Sequence, residues 1–167
     1  GIACQLLNPV AANDLARCIA DPRWVMQRKF DGRRLLVKRE GDEVTGINRR
    51  GLETGIPATI RDTALSLPAD RFVIDGEAVD DLLHAFDLLE LGDADLRSQP
   101  YEARLAELEG LLAGHHESAI VPVATAYGQK RKEEFLRDLR TNNREGAVLK
   151  DLDAPCTPGR PASAGSQ

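Results

Sequence analysis

Trp24-Val25-Met26-Gln27-Arg28-Lys29-Phe30-Asp31-Gly32-Arg33-Arg34-Leu35-Leu36-Val37-Lys38-Arg39 joins two β-rich runs through a short Asp-Gly break, with Lys29 where the first run ends. Asp-Gly between strand-like segments predicts a tight hairpin. A third run follows Glu40-Gly41-Asp42, so the spacing predicts an antiparallel meander of Trp24 to Lys29, Arg34 to Arg39 and Val44 to Asn48. A lysine at the mouth of such a turn admits two readings. Its amine is a nucleophile toward the α-phosphate of a nucleoside triphosphate, because a lysine–phosphorus bond conserves anhydride energy in a labile phosphoramidate, or it is one cation of an exposed basic hairpin.

Outward from this stretch the pattern alternates between strands and single helices. Ala11 to Ala20 places Leu15, Cys18 and Ile19 at helical spacing before Asp21-Pro22 stops it. Pro57 opens a helix with Ile60, Ala64 and Leu67 on one face, and Arg71 to Val79 returns through Asp80-Asp81 into Leu82 to Leu89 as a hairpin. Ser98-Gln99-Pro100 precedes a helix with a stripe of Leu105, Leu108, Leu111 and Leu112 that ends at Gly114. Ala119 to Ala126 reads as one strand and Lys130 to Arg140 as a charged helix with Phe135, Leu136 and Leu139 inward. Gly146 to Lys150 is a last strand beyond the Asn142-Asn143 turn. From Asp151 to Gln167 the chain is rich in Pro, Gly, Ser and Ala, which predicts a mobile end outside the core. Residues 1–150 are therefore expected to form one catalytic module of α+β class, built on antiparallel strands.

Composition narrows the function. At 167 residues and 42% hydrophobic content the chain supports one well-cored module and not two large ones. No apolar stretch is long enough to span a membrane and Gly1-Ile2-Ala3-Cys4 lacks a signal pattern, so the expected location is cytoplasmic, without membrane association. Cys4, Cys18 and Cys156 are scattered and form no Cys-x-x-Cys pair, which argues against a zinc site. The net charge of −5 opposes nonspecific coating of nucleic acid, yet Arg28-Lys29, Arg33-Arg34, Lys38-Arg39 and Arg49-Arg50 concentrate positive charge locally. Those pairs line either a phosphate-holding face or an ordinary solvated strand surface. Neither Gly-x-x-x-x-Gly-Lys nor Gly-x-Gly-x-x-Gly occurs, so a nucleotide must be held by other means.

Three further runs carry chemistry. Phe72-Val73-Ile74-Asp75-Gly76-Glu77-Ala78-Val79 sets Glu77 inside a strand, where its carboxylate either accepts bonds from ribose hydroxyls or pairs with an arginine of the sheet. His84-Ala85-Phe86-Asp87-Leu88-Leu89 offers Phe86, either a stacking platform for a base or a core aromatic. In Arg144-Glu145-Gly146-Ala147-Val148-Leu149-Lys150, Glu145 and Val148 take opposite sides of the pleat, with Lys150 on the side of Val148. Glu145 suits a divalent metal on phosphates, Val148 can cover a base, and Lys150 reaches a phosphate or snorkels to solvent.

In this order the runs resemble the covalent nucleotidyltransferase superfamily, and most closely the adenylylation domain of the ATP-dependent DNA ligases. Lys29-Phe30-Asp31-Gly32-Arg33-Arg34 is similar to the first motif, Asn48-Arg49-Arg50-Gly51 to a Ser-Arg-x-Gly segment, and Ile74-Asp75-Gly76-Glu77 to the third. Ala85-Phe86-Asp87-Leu88 resembles the segment after that, Pro100-Tyr101-Glu102-Ala103-Arg104 a Pro-x-x-x-Arg helix, and Glu145-Gly146-Ala147-Val148-Leu149-Lys150 the fourth motif. The resemblance implies the antiparallel-sheet fold shared with mRNA capping enzymes, which is ATP-grasp-like. It implies Lys29 as the adenylylated nucleophile, Arg34 and Glu77 as ribose contacts, Phe86 stacked on adenine with Val148 opposite, and Lys150 near phosphate. Glu145 becomes the carboxylate for Mg2+ or Mn2+. Arg49 would meet the nucleotide or the 5′-phosphate at a nick, and Gln27 stands where many relatives place a glutamate near the adenine amino group. The implied reaction is lysine-AMP formation from ATP, AMP transfer to a DNA 5′-phosphate, and sealing of nicked double-stranded DNA by a monomer.

Two departures accompany the resemblance. Asn48 replaces the usual serine, and Cys156-Thr157-Pro158-Gly159-Arg160 resembles the approach to a fifth motif, a Lys-x-Lys pair that the sequence through Gln167 does not contain. The expectation is a truncated adenylylation domain lacking the C-terminal OB domain, with 151–167 as its mobile end. The rivals are an RNA ligase, a GTP-using capping-type enzyme, and a noncatalytic nucleotide- or DNA-binding module.

Overall fold

In chain order the elements are β1 (Ile2–Cys4), α1 (Ala12–Ala20), β2 (Trp24–Arg28), β3 (Arg33–Glu40), β4 (Glu43–Ile47), β5 (Glu53–Thr54), α2 (Ala58–Ser66), β6 (Arg71–Val79), β7 (Leu82–Leu91) and β8 (Ala94–Asp95). They continue with α3 (Tyr101–Leu112), β9 (Ile120–Pro122), β10 (Thr125–Ala126), α4 (Gly128–Thr141) and β11 (Ala147–Asp151). The structure, a computed structural model, describes residues 2–4, 12–115, 117–142 and 146–156. By its internal contacts the chain divides into two compact units. The first takes the residues up to Lys29 and Ala124–Ala154; the second takes Phe30–Val123 and the described residues from Pro155 onward.

The first unit is a four-stranded sheet in the order β1-β11-β2-β10, with β1 parallel to β11 and the other pairs antiparallel. Met26, Ala126, Leu139, Ala147 and Leu149 form its core, and Leu15, Cys18, Ile19, Trp24, Phe135 and Leu136 of the helices and strand ends pack against it. Leu139 points inward as its spacing predicts, but α4 also buries a charge. Lys132 is fully buried, and its Nζ donates to the carbonyls of Cys18 (2.7 Å), Asp21 (2.9 Å) and Trp24 (2.7 Å). The Cys18 carbonyl, in the last turn of α1, is one that a helix leaves without an intrahelical partner; the other two lie past the helix, and Asp21 also accepts the Trp24 N–H at 3.1 Å. Burial pulls the Lys132 pKa below the usual lysine value, with Asp21 and Cys18 opposing the shift.

The last strand runs one residue further than expected. Asp151 and Leu152 are buried, and Asp151 takes a two-pronged bond from Arg23, Nε to Oδ1 at 2.7 Å and Nη2 to Oδ2 at 2.6 Å. That pairing holds the Asp151 carboxyl below the usual carboxylate range. Of the segment 151–167 expected to be mobile, residues 157–167 lie outside the described residues.

The second unit is a seven-stranded sheet in the order β5-β4-β3-β6-β7-β8, with β9 added parallel to β7. The β6–β7 hairpin closes at Asp80-Asp81 as expected, and Asp80 takes the left-handed conformation (φ 53°) that such two-residue turns require. Helix α2 buries Ile60 and Ala64, and α3, entered at Pro100, buries Leu105, Leu108, Leu111 and Leu112.

The meander is corrected. β3 and β4 pair as expected, but β2 belongs to the first unit's sheet and makes no hairpin with β3. Asp31-Gly32 lies on a crossing segment. Gly32 does not take the left-handed conformation; a Cβ there would stand 2.1 Å from the Ala78 carbonyl oxygen, so glycine is required by close approach to β6 and not by a turn. Ala119 to Ala126 is likewise two strands. β9 pairs with β7 and β10 pairs with β2, because the chain passes from one unit to the other between Val123 and Ala124.

Candidate functional site

Register sorts the first unit's candidates onto one sheet face. Met26 lies opposite both Leu149 and Ala126, and all three belong to the core that Leu15, Leu136 and Leu139 of the helices share. The pleat then turns Gln27, Val148 and Thr125, which are opposite one another across β2, β11 and β10, to the other face, with Lys150 at the same parity as Val148. Lys29 follows Gln27 by two residues. It is exposed, just past the end of β2, and its backbone N–H donates to the Gly146 carbonyl at 3.1 Å, which prolongs the β2–β11 pairing by one bond. Gln27 is buried, and its Nε2 donates to Thr125 Oγ1 at 3.1 Å. Thus Gln27, Lys29, Val148 and Lys150, far apart in sequence, share the sheet face turned away from the helices. Thr125 belongs with them, and the sequence reading passed over it.

The second unit brings Arg34, Glu77 and Phe86 together. Arg34 of β3 stands opposite Glu77 of β6. Its guanidinium forks onto Asp75, Nε to Oδ1 at 2.5 Å and Nη2 to Oδ2, and its Cζ lies 5.2 Å from the centre of the Phe86 ring. Burial works against the Arg34 charge, but Asp75, joined by Glu77 and Asp87, outweighs it and holds the pKa above the usual arginine value. The bidentate geometry fixes the guanidinium plane as a monodentate lysine contact would not. Asp75 pairs across the sheet with Asp87, and each buried carboxylate has its own arginine: Asp87 receives Arg104 Nε at 2.8 Å and Nη2 at 3.1 Å. Unpaired, two such neighbours would repel at high cost.

Sequence reasoning also missed a ring pair. Phe30 and His84 stack with centroids 3.8 Å apart and planes 9° from parallel, and His84 is the cross-strand partner of Glu77. Arg49 is exposed in the β4–β5 loop. Asn48 gives that loop its shape by accepting the N–H groups of Arg50 (2.9 Å) and Leu52 (3.0 Å) on Oδ1, while Gly51 takes φ +81°. The asparagine thus performs a turn-closing task within reach of a serine hydroxyl.

Glu145, the expected metal carboxylate, lies outside the described residues, and among the described residues no group of three or more His, Cys, Asp or Glu could hold a metal ion. As a hard oxygen donor, Glu145 has the chemistry that Mg2+ or Mn2+ prefers. Among the described residues no helix is long and apolar enough to cross a membrane.

No family model matches the chain. Over 178 aligned residues, 91% of this chain and 34% of the relative, it is 33% identical to a Nocardioides sp. protein named "Probable DNA ligase". Across 81% of its length it is 25% identical to the "DNA ligase" of Nanoarchaeum equitans, covering 30% of that protein. The chain spans about a third of the length of the curated relatives it matches. Among solved structures it superposes on the ligase domain of M. tuberculosis LigD with a TM-score of 0.71 at 21% identity, over 95% of this chain and 55% of that one. It superposes on mycobacterial DNA ligase D complexed with ATP with a TM-score of 0.65 at 23% identity, over 84% and 52% of the two chains.

Proposed function

We propose that this chain, homologous to the DNA ligases and built on the fold of their nucleotidyltransferase domain, is the part of an ATP-dependent DNA ligase that carries AMP on Lys29. The observation that carries the reading is the gathering of Lys29, Gln27, Val148 and Lys150 on one sheet face of the first unit. That placement is what a nucleotide-binding surface requires and what an idle basic hairpin does not.

In the proposed reaction the Lys29 amine attacks the α-phosphorus of ATP, a phosphorus–nitrogen bond forms, and the bond to pyrophosphate breaks. The AMP then passes to a DNA 5′-phosphate, and the 3′-hydroxyl across the nick displaces it to close the phosphodiester. Gln27 and Val148 meet the base, Lys150 a phosphate, Arg34 and Glu77 the ribose, and Phe86 stacks on adenine. With Nε and Nη2 committed to Asp75, Arg34 has Nη1 left to offer a ribose oxygen. Exposed Arg49 suits contact with the nucleotide or the nick 5′-phosphate. A divalent ion held through Glu145 would supply positive charge to the phosphates.

The test is intact-protein mass after incubation with ATP and Mg2+. The chain should gain one AMP, removable by pyrophosphate, and Lys29→Ala and Lys29→Arg should gain none, the second because a guanidinium stays protonated. Labelling that persists in Lys29→Ala would eliminate Lys29 as the nucleophile, and equal labelling from GTP would favour a capping-type enzyme.

A further inference from the structure

Phe86 is the extra residue of a β-bulge. β6 and β7 register Asp75 with Asp87 and Gly76 with Ala85, so β7 carries one more residue than β6 between those pairs, and that residue is Phe86. A bulge re-aims a side chain and bends the strand that carries it. The Phe86 carbonyl accepts the hydroxyl of Tyr101, the first residue of α3, whose side chain is wholly buried. One turn along the same helix, Arg104 forks onto Asp87, the next residue of β7, and donates Nη1 to the Gln99 carbonyl at 2.6 Å. The Arg104 Cζ also lies 5.3 Å from the centre of the Tyr101 ring, so each of the two helix residues holds the other. The first turn of α3 therefore grips β7 on both sides of the peptide after Phe86.

We infer that Tyr101 and Arg104 are positioning residues for nucleotide binding: they fix the Phe86 bulge so that its ring keeps one setting for the base. The inference rests on the reading of Phe86 as the stacking residue. Stacking depends on ring offset and tilt, and both follow the local bend of the bulged strand, which the bonds from Tyr101 and Arg104 hold. Tyr101 and Arg104 need touch no nucleotide for this; they act through the backbone and carboxylate of β7.

The test is a double-mutant cycle on ATP binding by the 167-residue chain, with inorganic tripolyphosphate as a ligand lacking a base. Tyr101→Phe, which deletes only the hydroxyl, should weaken ATP binding about 3- to 10-fold, the range of a stacking contact. In a Phe86→Ala background the same change should cost no more than about 2-fold, the scatter of independent sites. Tripolyphosphate affinity should not change. If Phe86→Ala weakens ATP binding but Tyr101→Phe does not, or if Tyr101→Phe costs the same in both backgrounds or also weakens tripolyphosphate, the positioning role is refuted while stacking stands. If Phe86→Ala itself leaves ATP affinity intact, the stacking reading fails and the positioning role falls with it. Should Tyr101→Phe not fold, as judged by its thermal transition, Asp87→Asn loosens the Arg104 fork without opening a cavity, and the same cycle decides the question.

Discussion

Replacing Lys132 by methionine isolates the buried ammonium, because the two side chains have similar length and the change removes charge and donors with little change of volume. All three ammonium protons are spent on carbonyls, at 2.7, 2.9 and 2.7 Å. A hydrogen bond to a charged group contributes about 1.5–3 kcal/mol, but the three do not add up to the net effect, since desolvating the ammonium costs several kcal/mol in the folded protein. The variant also leaves the carbonyls of Cys18 and Trp24 without the ammonium donor, whereas the Asp21 carbonyl, which loses it too, keeps the Trp24 N–H at 3.1 Å. At about 1 kcal/mol for each of the first two acceptors, the lower end of the range for a buried group left unmade, the expected loss is ~2 kcal/mol. Urea unfolding followed by fluorescence measures it, with Trp24, the chain's only tryptophan, as a probe whose own carbonyl takes one of the bonds. Lys130→Met on the exposed side of α4 is the control and should stay within about 0.5 kcal/mol of the parent. A loss below about 1 kcal/mol for Lys132→Met would refute the idea that this ammonium caps α1.

Two other expectations concern stability. The Asp151 carboxyl has a folded-state pKa depressed by Arg23, so the pair's stabilisation is fully present above the unfolded carboxylate value of about 3.9 and is lost as pH falls through the depressed folded value. Asp151→Asn should accordingly be less stable than the parent at pH 7 and converge with it in acid; a gap independent of pH would show that charge has no part in it. Gly32→Ala should destabilise the second unit by more than about 2 kcal/mol, because the new methyl meets the Ala78 carbonyl, whereas Gly55→Ala, with open space around it, should be nearly neutral in the same thermal unfolding assay. Equal transitions for the two glycine variants would sink the close-approach account.

Much of the fold is legible in the residues because their local signals agree with the tertiary result. Pro57 and Pro100 mark helix starts, the leucines from Leu105 to Leu112 mark a buried stripe, and Asp80-Asp81 marks a hairpin, each decided by its immediate neighbours. The misreadings occur where one residue type serves two physical ends. Asp31-Gly32 has a turn's composition, but a glycine needed for close approach looks the same as one needed for a turn, and periodicity does not say which sheet a strand joins. Lys132 had a readable signal: it precedes Phe135, Leu136 and Leu139 by three, four and seven, which puts it on their buried face. Charge overrode pattern there. The Phe86 bulge had none, since one extra residue leaves no mark on the alternation of a strand with apolar residues on both sides. For the candidate residues, motif order pointed to Gln27, Lys29, Val148 and Lys150, and only the pairing of β2 with β10 and β11 brings Thr125 to the same face.

The order of synthesis follows from where the chain changes units. Gln27 and Thr125, bonded neighbours in the first sheet, are 98 positions apart, and nearly the whole second unit, Phe30–Val123, is strung between them. On a ribosome the strand that leads to Lys29 emerges early and must wait, unpaired, until β10 and β11 are made. The second unit, continuous in sequence apart from its residues beyond Pro155, is able to complete its own sheet in the interval. The surroundings of Lys29 are thus completed only after the second unit's sheet can form. Chains arrested after Val123 should protect the second unit from protease while leaving the segment before Lys29 open to cleavage, a difference readable by pulse proteolysis of stalled ribosomes.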